Sequence, residues 1–217
     1  MPRRMPRFDN VLSGQAQSAI AITRAGEMAH VCGQSSIRTQ WSTVRLEALY
    51  ELAYLRVFAA WEVCLEAVFY RSLCGYASRA GQEVTVGGGY YRSVAAAELA
   101  VLSGRSYALW HNPQNVINRC KQFIKSGAAG GPGVQENMLS ANFSRLSNFA
   151  TIRHRIVHDQ QDAKQKFDGV TLTIAARTYP SSRPGKFLRD WDRSTTPQRR
   201  WLEVAILEMI GLMSQIV

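Results

Sequence analysis

Two histidines and two arginines lie within six consecutive residues in the last third of the chain. Residues 150–159 read Ala-Thr-Ile-Arg-His-Arg-Ile-Val-His-Asp. His154 and His158 are four residues apart and therefore share one flank of a helix. An imidazole titrates near neutral pH, and an arginine is a permanent cation that can form paired hydrogen bonds to an anion. These residue types could bind a metal, transfer a proton or stabilise charge on a phosphate.

Metal binding is the first use that this histidine pair could have. Two histidines at positions i and i+4 have the spacing of zinc ligands on one helical face. The metalloprotease form of that motif has a glutamate directly after the first histidine, where this chain has Arg155. A guanidinium would repel a metal cation, and no spacing marks Asp159, His30 or His111 as a third ligand. We therefore expect no metal and no other cofactor.

Phosphoryl transfer would use the arginine and the histidines together. A histidine moves the proton, while the arginine neutralises the charge that grows on the phosphate oxygens. No metal is needed if the nucleophile is the 2′-hydroxyl of RNA, because that substrate carries its own nucleophile. Catalysis by a serine nucleophile is not indicated, since the chain has no Gly-x-Ser-x-Gly elbow.

The helix predicted to carry these residues has one apolar stripe. Its members follow one another at steps of three or four residues: Leu139, Phe143, Leu146, Phe149, Ile152 and Ile156. Arg153 falls within this stripe and must meet an acid, a phosphate or a wet cleft, because an unpaired buried charge is strongly unfavourable. On a straight helix Arg153 and His158 point about 140° apart. A second copy of the helix would bring the two residue types together.

A long central helix is predicted over residues 41–73, where apolar residues repeat at steps of three and four and Gly75 follows. Two acids, Glu51 and Glu62, occupy positions in its stripe. Either they lie at the edge of the stripe and reach water, or they pair with a cation. In the second case Glu62 is the candidate partner of Arg153.

The remaining segments are predicted to be shorter helices joined by loops. Further helices are expected at residues 10–31, 94–102, 113–125 and 197–217. Glycines mark loop insertions at residues 75–93 and 126–134. Residues 170–174 alternate between apolar and polar and precede a turn signal, which predicts a small β-hairpin within residues 168–190.

The composition favours a reducing compartment and a polyanionic partner. The chain has 217 residues, a formal net charge of +10 and a pI near 9.8, which suit binding to RNA or DNA. Its four cysteines form no Cys-x-x-Cys pair, so a reducing cytoplasm is expected. No secretory signal and no membrane-spanning run is recognisable.

Residues 152–159, Ile-Arg-His-Arg-Ile-Val-His-Asp, resemble the Arg-[polar]-x-x-x-His signature of the HEPN superfamily (higher eukaryotes and prokaryotes nucleotide-binding). By position, Arg153 matches the motif arginine, His154 the polar residue and His158 the motif histidine. The polar residue is often asparagine in that family. The resemblance covers about residues 41–159. It implies an all-α, HEPN-like helical bundle, here with the small β-hairpin as an appendage, in one domain over residues 1–217.

The resemblance also implies a function. Many members of the superfamily are metal-independent endoribonucleases that act as dimers in toxin–antitoxin and anti-phage defence systems. We therefore expect a cytoplasmic, homodimeric ribonuclease that cleaves RNA, with an antitoxin or defence protein as a further partner. The expected catalytic residues are Arg153, His154 and His158, and the expected substrate-binding residues are Arg155, Asp159 and Glu62. The alternative is a non-catalytic module for nucleotide binding, RNA binding or dimerisation.

Overall fold

The structure is a computed structural model that describes residues 3–79, 81, 84–103, 108–126, 131–194 and 196–217. Most of these residues are helical. The helices are α1 (Phe8–His30), α2 (Ser35–Gln40), α3 (Thr43–Leu73), α4 (Val94–Leu102), α5 (Pro113–Phe123), α6 (Val134–Ala141), α7 (Phe143–Val157), α8 (Gln161–Ala175), α9 (Pro184–Arg189) and α10 (Trp201–Ser214). None of the described helices is long and apolar enough to cross a membrane. The all-α class is confirmed, while the HEPN-like arrangement stays a prediction.

The strands in the described residues are two or three residues long and form three small sheets. A parallel pair joins β1 (Arg3–Arg4) to β2 (Tyr76–Ala77). Three antiparallel strands lie in the order β3 (Thr85–Val86), β4 (Ile124–Ser126) and β5 (Gly131–Pro132). A hairpin pairs β6 (Trp191–Asp192) with β7 (Arg199–Arg200).

The chain falls into two compact units, each built from separate stretches of sequence. The first unit comprises Met1–Val11, Trp61–Ser147 and Ile210–Val217, and the second comprises Leu12–Ala60 and Asn148–Met209. The two histidines and two arginines of the motif all lie in the second unit. A single domain over the whole chain stays a prediction.

The first unit has an aromatic core. The Phe69 ring lies 5.3 Å from the Trp110 ring and 6.3 Å from the Phe123 ring, measured between centroids. The Trp110 indole donates a 2.7 Å hydrogen bond to Glu66, so the polar edge of this large ring is satisfied. α5 begins with a capped turn, because Asn112 Oδ1 accepts hydrogen bonds from the backbone of Gln114 and Asn115.

The second unit is centred on Phe187 of α9. Its ring lies 6.0 Å from Phe167 of α8, 5.5 Å from Tyr179 and 5.5 Å from Trp201 of α10. Phe167 and Phe187 are almost completely buried. These contacts hold α8, α9 and α10 together.

Glycine at position 185 allows α9 to approach α3 closely. The Gly185 N–H donates a 2.8 Å hydrogen bond to the Glu51 carboxylate. A Cβ atom at this position would collide with the backbone carbonyl of Glu47. Glu51, one of the two acids in the predicted stripe of α3, therefore accepts a hydrogen bond from the backbone of a neighbouring helix.

The predicted β-hairpin within residues 168–190 is wrong. Residues 170–174 belong to α8, which buries Ala163, Phe167 and Thr171 at steps of four residues. The polar residues before this stretch are compatible with a helix, so its short alternation continues a helical face instead of starting a strand. Residues 186–188, expected as the returning strand, lie in α9. The hairpin of this region lies later, between β6 and β7.

Three further boundaries differ from expectation. The predicted helix over residues 139–156 is divided at Asn142, whose side-chain amide donates a 2.8 Å hydrogen bond to the Met138 carbonyl and ends α6. The terminal helix begins at Trp201, four residues after the cis Thr196–Pro197 peptide. Residues 75–93 and 126–134, expected as loops, contain β2, β3, part of β4 and β5, and residues 80, 82, 83 and 127–130 of these predictions lie outside the described residues.

Candidate active site at the end of helix α7

The motif occupies the last turn of α7 and the residues that follow it. The His158 N–H donates a 2.9 Å hydrogen bond to the His154 carbonyl and closes that turn, although the helix itself ends at Val157. His154 and Arg155 lie in the last turn, where positive charge interacts favourably with the negative end of the helix dipole. The polar residues after His158 separate α7 from α8, so the motif lies at a helix end.

The two motif histidines are in contact. Their ring centroids are 4.5 Å apart with an angle of 44° between the ring planes. Both residues are half-exposed. Within the second unit, as far as it is described, neither ring makes a hydrogen bond to another side chain or to the backbone. The i, i+4 spacing thus produces a pair of imidazoles whose nitrogens are available to a ligand.

The pKa of His154 is lowered below its ordinary value near 6.5. Burial is the largest cause, followed by repulsion from the charges of His158, Lys166 and Arg153. Each of these effects disfavours the imidazolium form. His154 is therefore neutral at pH 7 and can accept a proton.

Arg153 is half-exposed on α7, directly before the last turn of that helix. Its charge contributes to the lowered pKa of His154, so the guanidinium is close enough to act on that ring. Among the described residues of the second unit, Arg153 makes no hydrogen bond and no ion pair. Because Arg153 is half-exposed, water solvates part of its charge, as the sequence analysis required of an arginine within an apolar stripe.

Arg155 is largely enclosed, with 11 % of its side chain exposed. Its Nε donates a 3.0 Å hydrogen bond to the Ser182 carbonyl, and one terminal nitrogen donates at 3.1 Å to the His158 carbonyl. The other terminal nitrogen lies 3.1 Å from the Asp159 carboxylate. The guanidinium thus holds together the end of α7 and the segment before α9. Substrate binding by Arg155 stays a prediction.

Asp159 lies on the surface beside two cations. Its carboxylate is 3.1 Å from Lys164 and 3.1 Å from Arg155, and 79 % of its side chain is exposed. The hydrogen bond from Lys164 is the largest cause that lowers the pKa of this carboxyl. Asp159 is therefore ionised at neutral pH and already engaged by two positive charges.

Glu62 lies half-buried on α3, in the first unit. The Glu62 side chain interacts with at least one other group of the chain. Its predicted pairing with Arg153 and its predicted role in substrate binding stay predictions. Among the described residues, no group of three or more histidine, cysteine, aspartate or glutamate side chains is arranged to hold a metal ion.

No sequence pattern indicates Ser182, whose backbone carbonyl accepts a hydrogen bond from the Arg155 guanidinium. Ser182 is buried, and its hydroxyl donates a 2.8 Å hydrogen bond to Asp168. A backbone acceptor has no characteristic residue type, so only the fold identifies it. The burial of Arg155 also depends on the fold, because the segment around Ser182 that contacts Arg155 is distant from it in the sequence.

The comparisons with known proteins add no family. Neither the protein-family models, nor the curated proteins, nor the solved structures contain a match to this chain.

Proposed function

We propose that this protein is a metal-independent endoribonuclease that cleaves RNA by attack of the 2′-hydroxyl on the adjacent phosphate. The observation that carries the proposal is the contact between the imidazoles of His154 and His158 at the half-exposed end of α7. A neutral imidazole, a second imidazole and an arginine are the groups that this reaction requires.

The proposed chemistry assigns one task to each group. His158 handles the proton. As a base it removes the proton from the 2′-hydroxyl while that oxygen bonds to phosphorus, and as an acid it returns a proton to the 5′-oxygen while the bond from that oxygen to phosphorus breaks. Arg153 stabilises the charge of the phosphorane. His154, whose lowered pKa keeps it neutral, orients the phosphate or shares in the proton transfer. The products are a 2′,3′-cyclic phosphate and a 5′-hydroxyl.

Arg155 acts in this proposal as a positioning residue. It donates to the His158 carbonyl and to the Ser182 carbonyl, and therefore fixes the backbone that carries one of the two histidines. Catalytic geometry must be held tightly for proton transfer to be efficient. Arg155 can also contribute positive charge near the RNA, because the Asp159 carboxylate is shared with Lys164 and neutralises Arg155 only in part.

A homodimer is part of the proposal, because positions 153 and 158 are about 140° apart around a helix axis. Two copies of α7 facing each other would gather two arginines and four histidines in one cleft. A toxin or anti-phage defence effector with an antitoxin or activator as partner would suit such an enzyme, since an unregulated ribonuclease harms its own cell.

The direct test uses purified protein and end-labelled single-stranded RNA, with and without EDTA. We expect cleavage in both conditions, a 2′,3′-cyclic phosphate on the product, and no cleavage of DNA or 2′-O-methyl RNA of the same sequence. Those two substrates lack a free 2′-hydroxyl and so lack the nucleophile. Loss of activity with EDTA, or cleavage of the DNA, would contradict the mechanism.

The second candidate is a module that binds RNA or nucleotides, or forms dimers, without catalysis. The observation that favours it is the net charge of +10, which attracts phosphates whatever the histidines do. It predicts RNA that is bound and remains intact, with an affinity that falls steeply as salt rises. The cleavage assay separates the two candidates, provided that binding is measured on the same preparations.

A further inference from the structure

A basic cavity with an aromatic wall lies in the second unit, apart from the two histidine rings. Its volume is about 540 Å³, within the range of small-molecule sites. It is bounded by Thr43 and Glu47 of α3, by the segment between α8 and α9, by α9, and by the hairpin of β6 and β7. The proposed ribonuclease chemistry does not use it.

Five cations line this cavity: Arg177, Arg183, Lys186, Arg189 and Arg200. Two acids of the lining accompany them, since Arg183 is paired with Glu47 and Arg177 with Asp190. A third acid, Glu27, is shared by Arg189 and Arg200. Five cations against three carboxylates leave a surplus of two positive charges at the cavity.

The arginines are held in fixed positions. Arg189 donates two hydrogen bonds to Glu27, at 2.9 and 3.1 Å, and Arg200 lies 3.1 Å from the same carboxylate. Burial would raise the pKa of Glu27, but the Arg189 hydrogen bonds and the charge of Arg200 outweigh burial and hold it below its ordinary value. The cations are therefore arranged before any ligand arrives, which reduces the entropy cost of binding an anion.

Lys186 differs from the arginines. It is exposed on α9, and among the described residues of the second unit it makes no hydrogen bond and no ion pair. Its ammonium group is thus the cation of the lining that an anion can contact without displacing a carboxylate. A phosphate is a suitable anion, because it accepts hydrogen bonds from a lysine and several arginines at once.

Trp191 supplies an aromatic surface at the same cavity. Its side chain is 44 % exposed, which is unusual for a residue of this size. The Arg200 guanidinium lies 4.5 Å from its ring centroid and covers part of the ring. Trp191 and Arg177 also line a neighbouring cavity of about 340 Å³, so the indole borders open space on more than one side. An exposed indole beside cations is suited to stacking a nucleobase.

We propose that this cavity binds a nucleotide, with its base against Trp191 and its phosphate against Lys186 and the neighbouring arginines. The nucleotide is either free or one residue of an RNA strand. The segment that contributes Pro180 and Arg183 to the cavity is bonded to the histidine motif, because Arg155 donates to the carbonyls of both Ser182, which lies between them, and His158. The proposal concerns binding and stands whether or not the protein cleaves RNA.

Calorimetric titration with three probes tests it: AMP, a 2′-O-methyl hexanucleotide that cannot be cleaved, and inorganic pyrophosphate. AMP binding would identify a free nucleotide as ligand, and hexanucleotide binding without AMP binding would identify an RNA strand. Both results support the site. Pyrophosphate binding as tight as that of the nucleotide probes would show an anion site only and overturn the proposal, as would the absence of binding by AMP and the hexanucleotide.

Variants locate the site. Trp191→Ala should weaken nucleotide binding about fivefold to 150-fold, the range typical of one lost base stack, while Trp191→Phe should retain most of it. Lys186→Ala should weaken binding and reduce its salt dependence, with Arg92→Ala as a control that removes an exposed cation elsewhere. Unchanged affinity in both Trp191→Ala and Lys186→Ala would overturn the assignment. If a variant fails to fold, protection of Lys186 from acetylation by the bound probe in the wild-type protein decides instead.

Discussion

Arg155 Nε donates a 3.0 Å hydrogen bond to the carbonyl oxygen of Ser182, 27 residues later in the chain. The same guanidinium donates to the His158 carbonyl and lies beside Asp159. Arg153, two residues earlier, has no such bonds within the described part of the second unit. The two arginines of the motif therefore differ in their surroundings. Arg155 has a structural role, and the charge of Arg153 is accessible from the solvent.

Replacing each arginine separately should reveal this difference. We expect Arg155→Ala to lower the free energy of unfolding by about 1–3 kcal/mol, because it leaves carbonyl groups without their donor in a partly buried region. Arg153→Ala should change stability by only about 0.5 kcal/mol, as for a surface substitution, yet abolish RNA cleavage. Urea denaturation followed by circular dichroism measures the first effect, and the RNA assay measures the second.

Arg155→Lys is the matched control for the guanidinium. A lysine keeps the charge but cannot place three donors in a planar fork, so we expect it to recover only part of the lost stability. Equal destabilisation by Arg153→Ala and Arg155→Ala would contradict this difference in role between the two arginines. It would instead favour a buried partner for Arg153, such as Glu62.

Removing the His158 imidazole should affect catalysis more than folding. His158→Ala should reduce the rate of RNA cleavage by about 10²-fold or more, the usual loss when a general acid or base is removed. The side chain is half-exposed and follows the end of α7, so the circular dichroism spectrum should not change. His30→Ala, which changes a histidine outside the motif, is the control. Full activity of His158→Ala would refute the assigned role.

The contact between the two histidines also predicts how the pKa of His154 responds when the His158 ring is removed. Because burial and the charge of His158 lower the pKa of His154, His158→Ala should shift that pKa upward, toward its ordinary value. NMR titration of the imidazole protons measures the shift. Lys166→Gln, which removes a smaller repulsion, should produce a smaller one. An unchanged or lower pKa of His154 in His158→Ala would show that the two rings do not interact in solution.

The lowered pKa of His154 also makes the free energy of unfolding depend on pH. His154 has a lower pKa in the folded than in the unfolded chain, so below about pH 6.5 the unfolded state binds the proton more readily. The contribution of His154 to the free energy of unfolding is fully present above that pH, and it is lost as the pH falls through the pKa that His154 has in the folded state. His158→Ala should therefore reduce the dependence of unfolding free energy on pH in this window, as measured by urea titrations at several pH values.

Periodicity was sufficient to predict the long helices and insufficient where a segment is short. The central helix is present as α3 over Thr43–Leu73, and α1 over Phe8–His30 matches the first predicted helix within two residues. In α3 many turns repeat one apolar pattern. Residues 170–174 offer only five residues, whose alternation fits a strand, whereas the burial of Ala163, Phe167 and Thr171 at every fourth position fits a helix. The packing of Phe167 against Phe187 favours the helix, and the sequence contains no local sign of that contact.

The motif was predictable by residue type but not by environment. The spacing of His154 and His158 was sufficient to predict that they share a helical flank, as their 4.5 Å ring separation confirms. The opposite surroundings of Arg153 and Arg155 depend on the chain around Ser182, which no local pattern connects to α7. The grouping of cations in the basic cavity was not predictable for the same reason, since they come from α9, from β7 and from the segment after α8.

Gly185 should be intolerant of any side chain. A Cβ atom there would meet the Glu47 backbone carbonyl, which cannot rotate away as a side chain can. We expect Gly185→Ala to destabilise the protein by about 1–3 kcal/mol, as overpacking does, and to weaken the hydrogen bond between the Gly185 N–H and Glu51. Gly169→Ala, at a helical glycine with open space around it, is the control and should be neutral or stabilising. Thermal unfolding of both variants compares them, and equal melting temperatures would contradict close packing of α9 on α3.

Mixing two inactive variants tests whether the active site is shared between two copies of the chain. If each site uses Arg153 of one protomer and His158 of the other, a dimer of Arg153→Ala with His158→Ala contains one intact site and one doubly altered site. With free exchange and equal amounts, half of the dimers are mixed, so about one quarter of the wild-type activity should return. Light scattering must show a dimer in the same buffer. No recovery after verified exchange would place Arg153 and His158 of each site in one chain, and a fully active monomer would remove the dimer from the mechanism altogether.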